Sequence, residues 1–184
     1  MMKWYWMVVG AALGSVANAV AYRLPRGLSW VRGRSMCPEC KHGLSWKDLI
    51  PVVSYVWLGG KCRYCHSPIP RRYLWVELLL ATGFWVLAPN YVLMAMLWVT
   101  VVIAVMDWET MLVSDAMVGA WAILVVASQF LISNLEFLNL NNLWGVVAGV
   151  GVIGGVWAVS KGRAMGFGDV EIVAVAGWWL GWPK

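Results

Sequence analysis

The sequence predicts an all-α polytopic membrane protein of about six transmembrane segments, the last incomplete, carrying a small cytosolic zinc-ribbon-like loop domain. Three observations lead there. Of 184 residues, 61% are hydrophobic and 12% charged, where a soluble domain runs about 45–50% and about 25%. That composition excludes both a conventional soluble enzyme and a disordered chain. The 15 Trp, 19 Gly and 10 Met fit lipid, where Trp gathers at interfaces and Gly lets helices approach. The charge is segregated: residues 22–73 hold ten of the 14 basic residues against only Glu39 and Asp48, so this segment is +8 in a chain of +5.

The elements follow in order. A bilayer core of about 30 Å takes roughly 20 helical residues. Residues 4–21 form the first apolar run, and its Ala17-Asn18-Ala19 could serve a signal-peptide cleavage site. Cleavage there would put the +8 segment outside, against the positive-inside rule, so a retained span is expected. Residues 22–73, with all four cysteines and five of the seven prolines, form a polar loop domain. Runs 74–88 and 91–106 are separated by Pro89-Asn90, a turn signal between antiparallel helices. Runs 116–133 and 143–160 flank the polar stretch 134–142, and 170–182 is a 13-residue run too short to span comfortably. The domains expected are thus a first span (1–21), a cytosolic four-cysteine loop (22–73) and a membrane core (74–184) that looks truncated.

With 22–73 in the cytosol, the N-terminus, the Pro89-Asn90 turn and the 134–142 loop fall outside. The 107–115 segment and 161–169, which holds Lys161 and Arg163, fall inside. This brings five acids, Asp107, Glu109, Asp115, Asp169 and Glu171, to one membrane face.

Two constellations carry chemistry. Cys37-Pro38-Glu39-Cys40 and Cys62-Arg63-Tyr64-Cys65 are paired C-x-x-C knuckles 21 residues apart, able to present four thiolates to a structural Zn²⁺. Two disulfides are disfavoured in the cytosol, and a redox C-x-x-C does not explain the doubling. His42 and His66 read as neighbours of the site. The second constellation is the acids, which at membrane depth are functional by default. Capping is the plain alternative for Asp115 and Asp169. For Asp169 it is weaker, because Gly166 and Gly168 offer a bare backbone that an extended substrate could approach. Glu77, inside a span, reads as a partner for Arg71 or Arg72. The glycines of 149–155 follow no strand, and the pairs Gly10/Gly14, Gly145/Gly149 and Gly151/Gly155 read as helix packing.

Several of these residues resemble one family. Gly14-Ser15-Val16-Ala17-Asn18, Tyr22-Arg23-Leu24-Pro25-Arg26-Gly27, the four-cysteine loop with Asp48-Leu49-Ile50-Pro51, and Val76-Glu77-Leu78-Leu79 are similar to stretches of the type IV prepilin leader peptidases. These are GxGD-type aspartic proteases of the membrane. Asp107-Trp108-Glu109-Thr110-Met111-Leu112 and Gly166-Phe167-Gly168-Asp169 resemble the two stretches that hold their catalytic aspartates. Glu109, Ser114 and Glu171 depart from the usual Asp, Pro and Lys, and the family continues for further spans beyond its GxGD stretch.

The resemblance implies a membrane aspartic endopeptidase with Asp107 and Asp169 as catalytic pair. It would cleave the basic leader of type IV prepilins or pseudopilins after Gly, at the cytosolic face of the inner membrane. Gly166, Gly168 and Glu109 are the candidate substrate-binding residues. It also implies N-methylation of the new N-terminus from S-adenosylmethionine, which no residue here suggests independently. Zinc on Cys37, Cys40, Cys62 and Cys65 is the expected metal; prepilins and the bilayer are the expected partners, and nucleic acid is not. The alternatives are a non-catalytic membrane zinc-ribbon scaffold and an inactive fragment of the peptidase. A proton-relaying transporter fits less well, because the acids gather at one face.

Overall fold

The computed structural model describes residues 3–132 and 140–181. Among these the chain is all-helical, with two isolated β-bridges and no strand. The helices are α1 (Trp4–Arg23), α2 (Val53–Trp57), α3 (Arg72–Leu87), α4 (Tyr91–Thr110), α5 (Asp115–Ile132), α6 (Leu140–Ser160) and α7 (Phe167–Leu180). A helix occupies each of the six predicted runs. Three of them, at Trp4–Arg26, Tyr91–Thr110 and Leu140–Ser160, are long and apolar enough to cross a membrane; α5 is a shorter apolar helix. The end of the 170–182 run and most of the 134–142 loop lie outside the described residues. By contacts the chain divides into two units, Met1–Val105 and Met106–Lys184.

In the first unit α1 packs antiparallel on α3. Gly10 faces the backbone of Leu80 and Ala81, Gly14 faces Glu77, and Asn18 donates to the Tyr73 carbonyl at 3.4 Å. At Gly14 a Cβ would lie 2.7 Å from Glu77 Cα, so glycine is required for this approach. Arg26 closes the end of α1 by donating to the Tyr22 carbonyl, with its guanidinium 4.0 Å from the Tyr22 ring centre. The expected turn at Pro89-Asn90 is present. Gly83 and Leu97, each seven residues from Asn90, meet across it, and Trp98 Nε1 donates to the Leu13 carbonyl of α1 at 2.9 Å.

In the second unit α7 packs against both α5 and α6. The α6–α7 pair is antiparallel: Gly145 sits against Gly177 and Gly181, Gly149 against Val173, and Gly154 near Val170. Gly145/Gly149 and Gly10/Gly14 therefore serve packing as predicted. Gly151 and Gly155 have nothing within 4 Å of a Cβ among the described residues. Gly145→Ala would drive a methyl into the Gly177 carbonyl. We expect it to cost about 1–3 kcal/mol, read as a lower Tm in detergent, whereas Gly151→Ala on the same helix should leave Tm unchanged or slightly raised.

Candidate metal centre and acidic site

The two C-x-x-C segments fold into equivalent knuckles. The Cys37 amide donates to the His42 carbonyl and the Cys62 amide to the Ser67 carbonyl; the Lys41 and His66 amides return to the Cys37 and Cys62 carbonyls, at 2.9–3.0 Å. Bridges pair Met36 with Gly43 and Lys61 with Pro68. Lys41 and His66 take the same left-handed conformation, φ 58°. Each knuckle thus buries its first cysteine, Cys37 or Cys62, and exposes its second.

Together they bring four Sγ atoms within 4.8 Å of one another, Cys37 and Cys65 at 3.8 Å. Sulfurs about 2.3 Å from a tetrahedral Zn²⁺ are about 3.8 Å apart, so the cluster is compatible with structural zinc. The knuckle tunes its thiols. Burial pushes Cys37 up, but the amides of Cys40 and Glu39 and the Ser67 hydroxyl outweigh it and bring it to about 6. The His42 amide lowers Cys40, yet burial and the neighbouring sulfurs raise it to about 11. The His42 ring stacks on Tyr64, ring centres 3.7 Å apart.

Between the knuckles an ion pair ties the loop together. Asp48 Oδ2 accepts from the Ser45 amide and hydroxyl at 3.0 and 2.7 Å, and Oδ1 from Arg63 Nε at 2.6 Å. The Ser45-x-x-Asp48 spacing is a capping box, a signal the sequence carried. Burial raises the Asp48 pKa, but Ser45 and Arg63 together hold it below its ordinary 3.8. A carboxyl so depressed stabilises the fold above pH 3.8 and loses that stabilisation as pH falls through its lower folded value. Arg63 is 44% exposed, so solvent screening keeps the pair near about 1 kcal/mol. Asp48→Asn should therefore lower the loop's melting temperature by a constant amount from pH 5 to 8. The difference from wild type should narrow only below pH 3.8.

The acids occupy the second unit. Asp107 and Glu109 lie on the last turn of α4 rather than in a loop, because nothing breaks the helix before Met111. Met111, at φ 51°, donates its amide to the Asp107 carbonyl at 2.9 Å and turns the chain. Asp115 opens α5 and is exposed, and its first-turn amides return to the Ser114 carbonyl. Asp169 is the third residue of α7, where negative charge is favoured by the helix dipole. It is not the cap: Gly166 holds that position. A Cβ on Gly168 would lie 2.8 Å from Val113 Cβ. The turn following Asp107 and the first turn of α7 are thus in contact, and Val113 fills the space at Gly168, whereas Gly166 stays exposed. Asp107 and Asp169 are both half-buried; Glu109 is exposed.

Glu77 has partners other than those expected. Its Oε2 accepts from the Val52 amide at 2.7 Å, and Ser15 of α1 lies beside it. Arg72 lies over the Tyr73 ring. Sequence reasoning missed this tie from the loop into α3, since a backbone donor 25 residues away leaves no pattern.

Residues 8–91 match the family described as Bacterial Peptidase A24 N-terminal domain, and residues 94–184 match the Type IV leader peptidase family. The chain is 30% identical to a prepilin leader peptidase/N-methyltransferase of Klebsiella pneumoniae, over 94% of this chain and 82% of that protein. It is 36% identical to one of Aeromonas hydrophila (81% and 54%) and 32% identical to one of Myxococcus xanthus (95% and 55%). It thus spans about half the length of the latter two. No solved structure matches.

Proposed function

Because the chain belongs to the type IV leader peptidase family, we propose that it is a membrane aspartic endopeptidase that removes the basic leader of prepilin-like substrates after Gly. Cleavage is placed at the cytosolic face of the inner membrane, with Asp107 and Asp169 as the catalytic pair. The observation that carries the assignment of residues is the contact of Gly168 with Val113. It seats the first turn of α7 on the turn that leaves Asp107. Exposed Gly166 leaves room for an extended backbone beside Asp169, and Glu109 offers a charge to the basic leader.

In this reading there are about six transmembrane segments, the last, α7, incomplete; residues 22–73 form a cytosolic loop domain, and prepilins or pseudopilins and lipid are the partners. Cys37, Cys40, Cys62 and Cys65 would hold one Zn²⁺, whose contribution is to fold the loop rather than to take part in hydrolysis. N-methylation is included on the strength of the relatives' names. S-adenosylmethionine fits poorly in the open cleft of about 630 Å³ beside Tyr55, Gly60, Lys61 and Arg71, because its sulfonium would face two cations. No step is assigned to it.

The test is incubation of the chain in lipid with a prepilin-like peptide, reading cleavage and N-terminal methylation separately by mass spectrometry. Cleavage after Gly that vanishes in the Asp107→Asn variant supports the reading. Zinc-loaded protein that cleaves nothing in any lipid would favour the zinc-ribbon scaffold.

A further inference from the structure

The loop between α1 and α3 carries an apolar surface that a soluble domain would not leave in water. Trp57 is 83% exposed, Trp46 71% and Val56 68%, and Leu49, Ile50 and Val53 are exposed beside them. Val53, Val56 and Trp57 share one face of α2 at i, i+3, i+4 spacing. Tyr55 turns the other way, its hydroxyl donating to the Ile69 carbonyl and its ring lying under Gly60. So α2 uses one side to hold the second knuckle and presents the other as an apolar strip with no partner among the described residues.

The depth of that strip is fixed by Glu77. The carboxylate that takes the Val52 amide belongs to a residue packed on Gly14, next to Ser15, and Asn18 reaches Tyr73 alongside. Arg23 ends α1. At 1.5 Å per residue, Asn18 and Ser15 lie about 7 and 12 Å inward of it. Val52, held at φ 63° by this bond, therefore sits below the level of the α1 terminus. Exposed basic residues rim the segment: Lys47, with its ammonium 5.6 Å from the Trp46 ring centre, then Lys61 and Arg71. Basic side chains beside tryptophans at the end of a span match an anionic membrane surface.

We propose that residues 46–57 form an interfacial segment that enters the lipid leaflet at this end of α1 and α3, docking the four-cysteine loop on the bilayer. The occupant of the apolar strip is lipid, continuous with the lipid around α1 and α3. The inference does not depend on the peptidase reading.

The test uses the full chain in nanodiscs of phosphatidylethanolamine and phosphatidylglycerol, loaded at one chain per disc. A phosphatidylglycerol with a photoactivatable acyl chain labels from within the lipid, and a water-soluble carbene reagent labels from outside. Adducts are mapped by peptide mass spectrometry. The expected result is lipid labelling of 46–57 several-fold above that of the 36–43 knuckle and comparable with α6, and weak labelling from water. Val56→Glu with Trp57→Glu should cut the lipid labelling of 46–57 several-fold while zinc per chain is unchanged. Labelling of 46–57 equal to that of 36–43 from both phases, or lipid labelling indifferent to the double substitution, overturns the proposal. So does protection from water that appears only when two chains share a disc.

Discussion

Asp107→Asn and Asp169→Asn should each reduce cleavage of a prepilin-like peptide by at least about a thousandfold, with expression and zinc content unchanged. The magnitude is that of losing a positioned general acid or base. In the proposed pair one carboxyl acts as general base and the other as general acid. The ionised partner can take a proton from water as it attacks, and the protonated partner can polarise the scissile carbonyl. Asn keeps the shape and removes the proton chemistry. Glu109→Gln, which removes an exposed charge outside the proposed pair, should instead raise KM for basic leaders with kcat little changed. Asp115→Asn should cost less than tenfold. Near-normal turnover by either dyad variant, measured by mass spectrometry, refutes the assignment.

What the sequence disclosed and what it concealed divide along physical lines. Hydropathy located a helix for every apolar run, because lipid solvation and helix length are properties of composition. Gly10/Gly14 and Gly145/Gly149 are readable as packing faces, but Gly151/Gly155 has the same spacing and a Cβ there would meet nothing among the described residues. Spacing identifies a smooth face without identifying its neighbour. The helix α4 continues past 106 through Asp107 and Glu109, since charge marks where a span ends and not where its hydrogen bonds end. Gly168 also meets Val113, which a Cβ there would strike, a contact that no spacing announces. Such tertiary contacts, like that between Val52 and Glu77, join segments whose separate patterns say nothing of each other.

The second large effect is expected at the cysteines. Replacing Cys37 or Cys62 by Ser should take bound zinc from about one per chain to near zero and make 24–71 sensitive to protease, while the membrane helices stay folded. The loop has three short helical segments, and none of its residues in them is fully buried. Its interior is essentially the sulfur cluster, with Cys37 and Cys62 at 5% exposure each. A segment of this size does not hold itself together by apolar burial. A structural Zn²⁺ contributes on the order of 10 kcal/mol to such a fold, far beyond what the Asp48–Arg63 pair supplies. Cys40→Ser and Cys65→Ser should lose the metal as well, since three thiolates leave the tetrahedron open, although they disturb no buried position. Elemental analysis and limited proteolysis read the two effects separately. A chain that keeps its protease-resistant loop after the metal is stripped under reducing conditions would show that zinc is not what folds it.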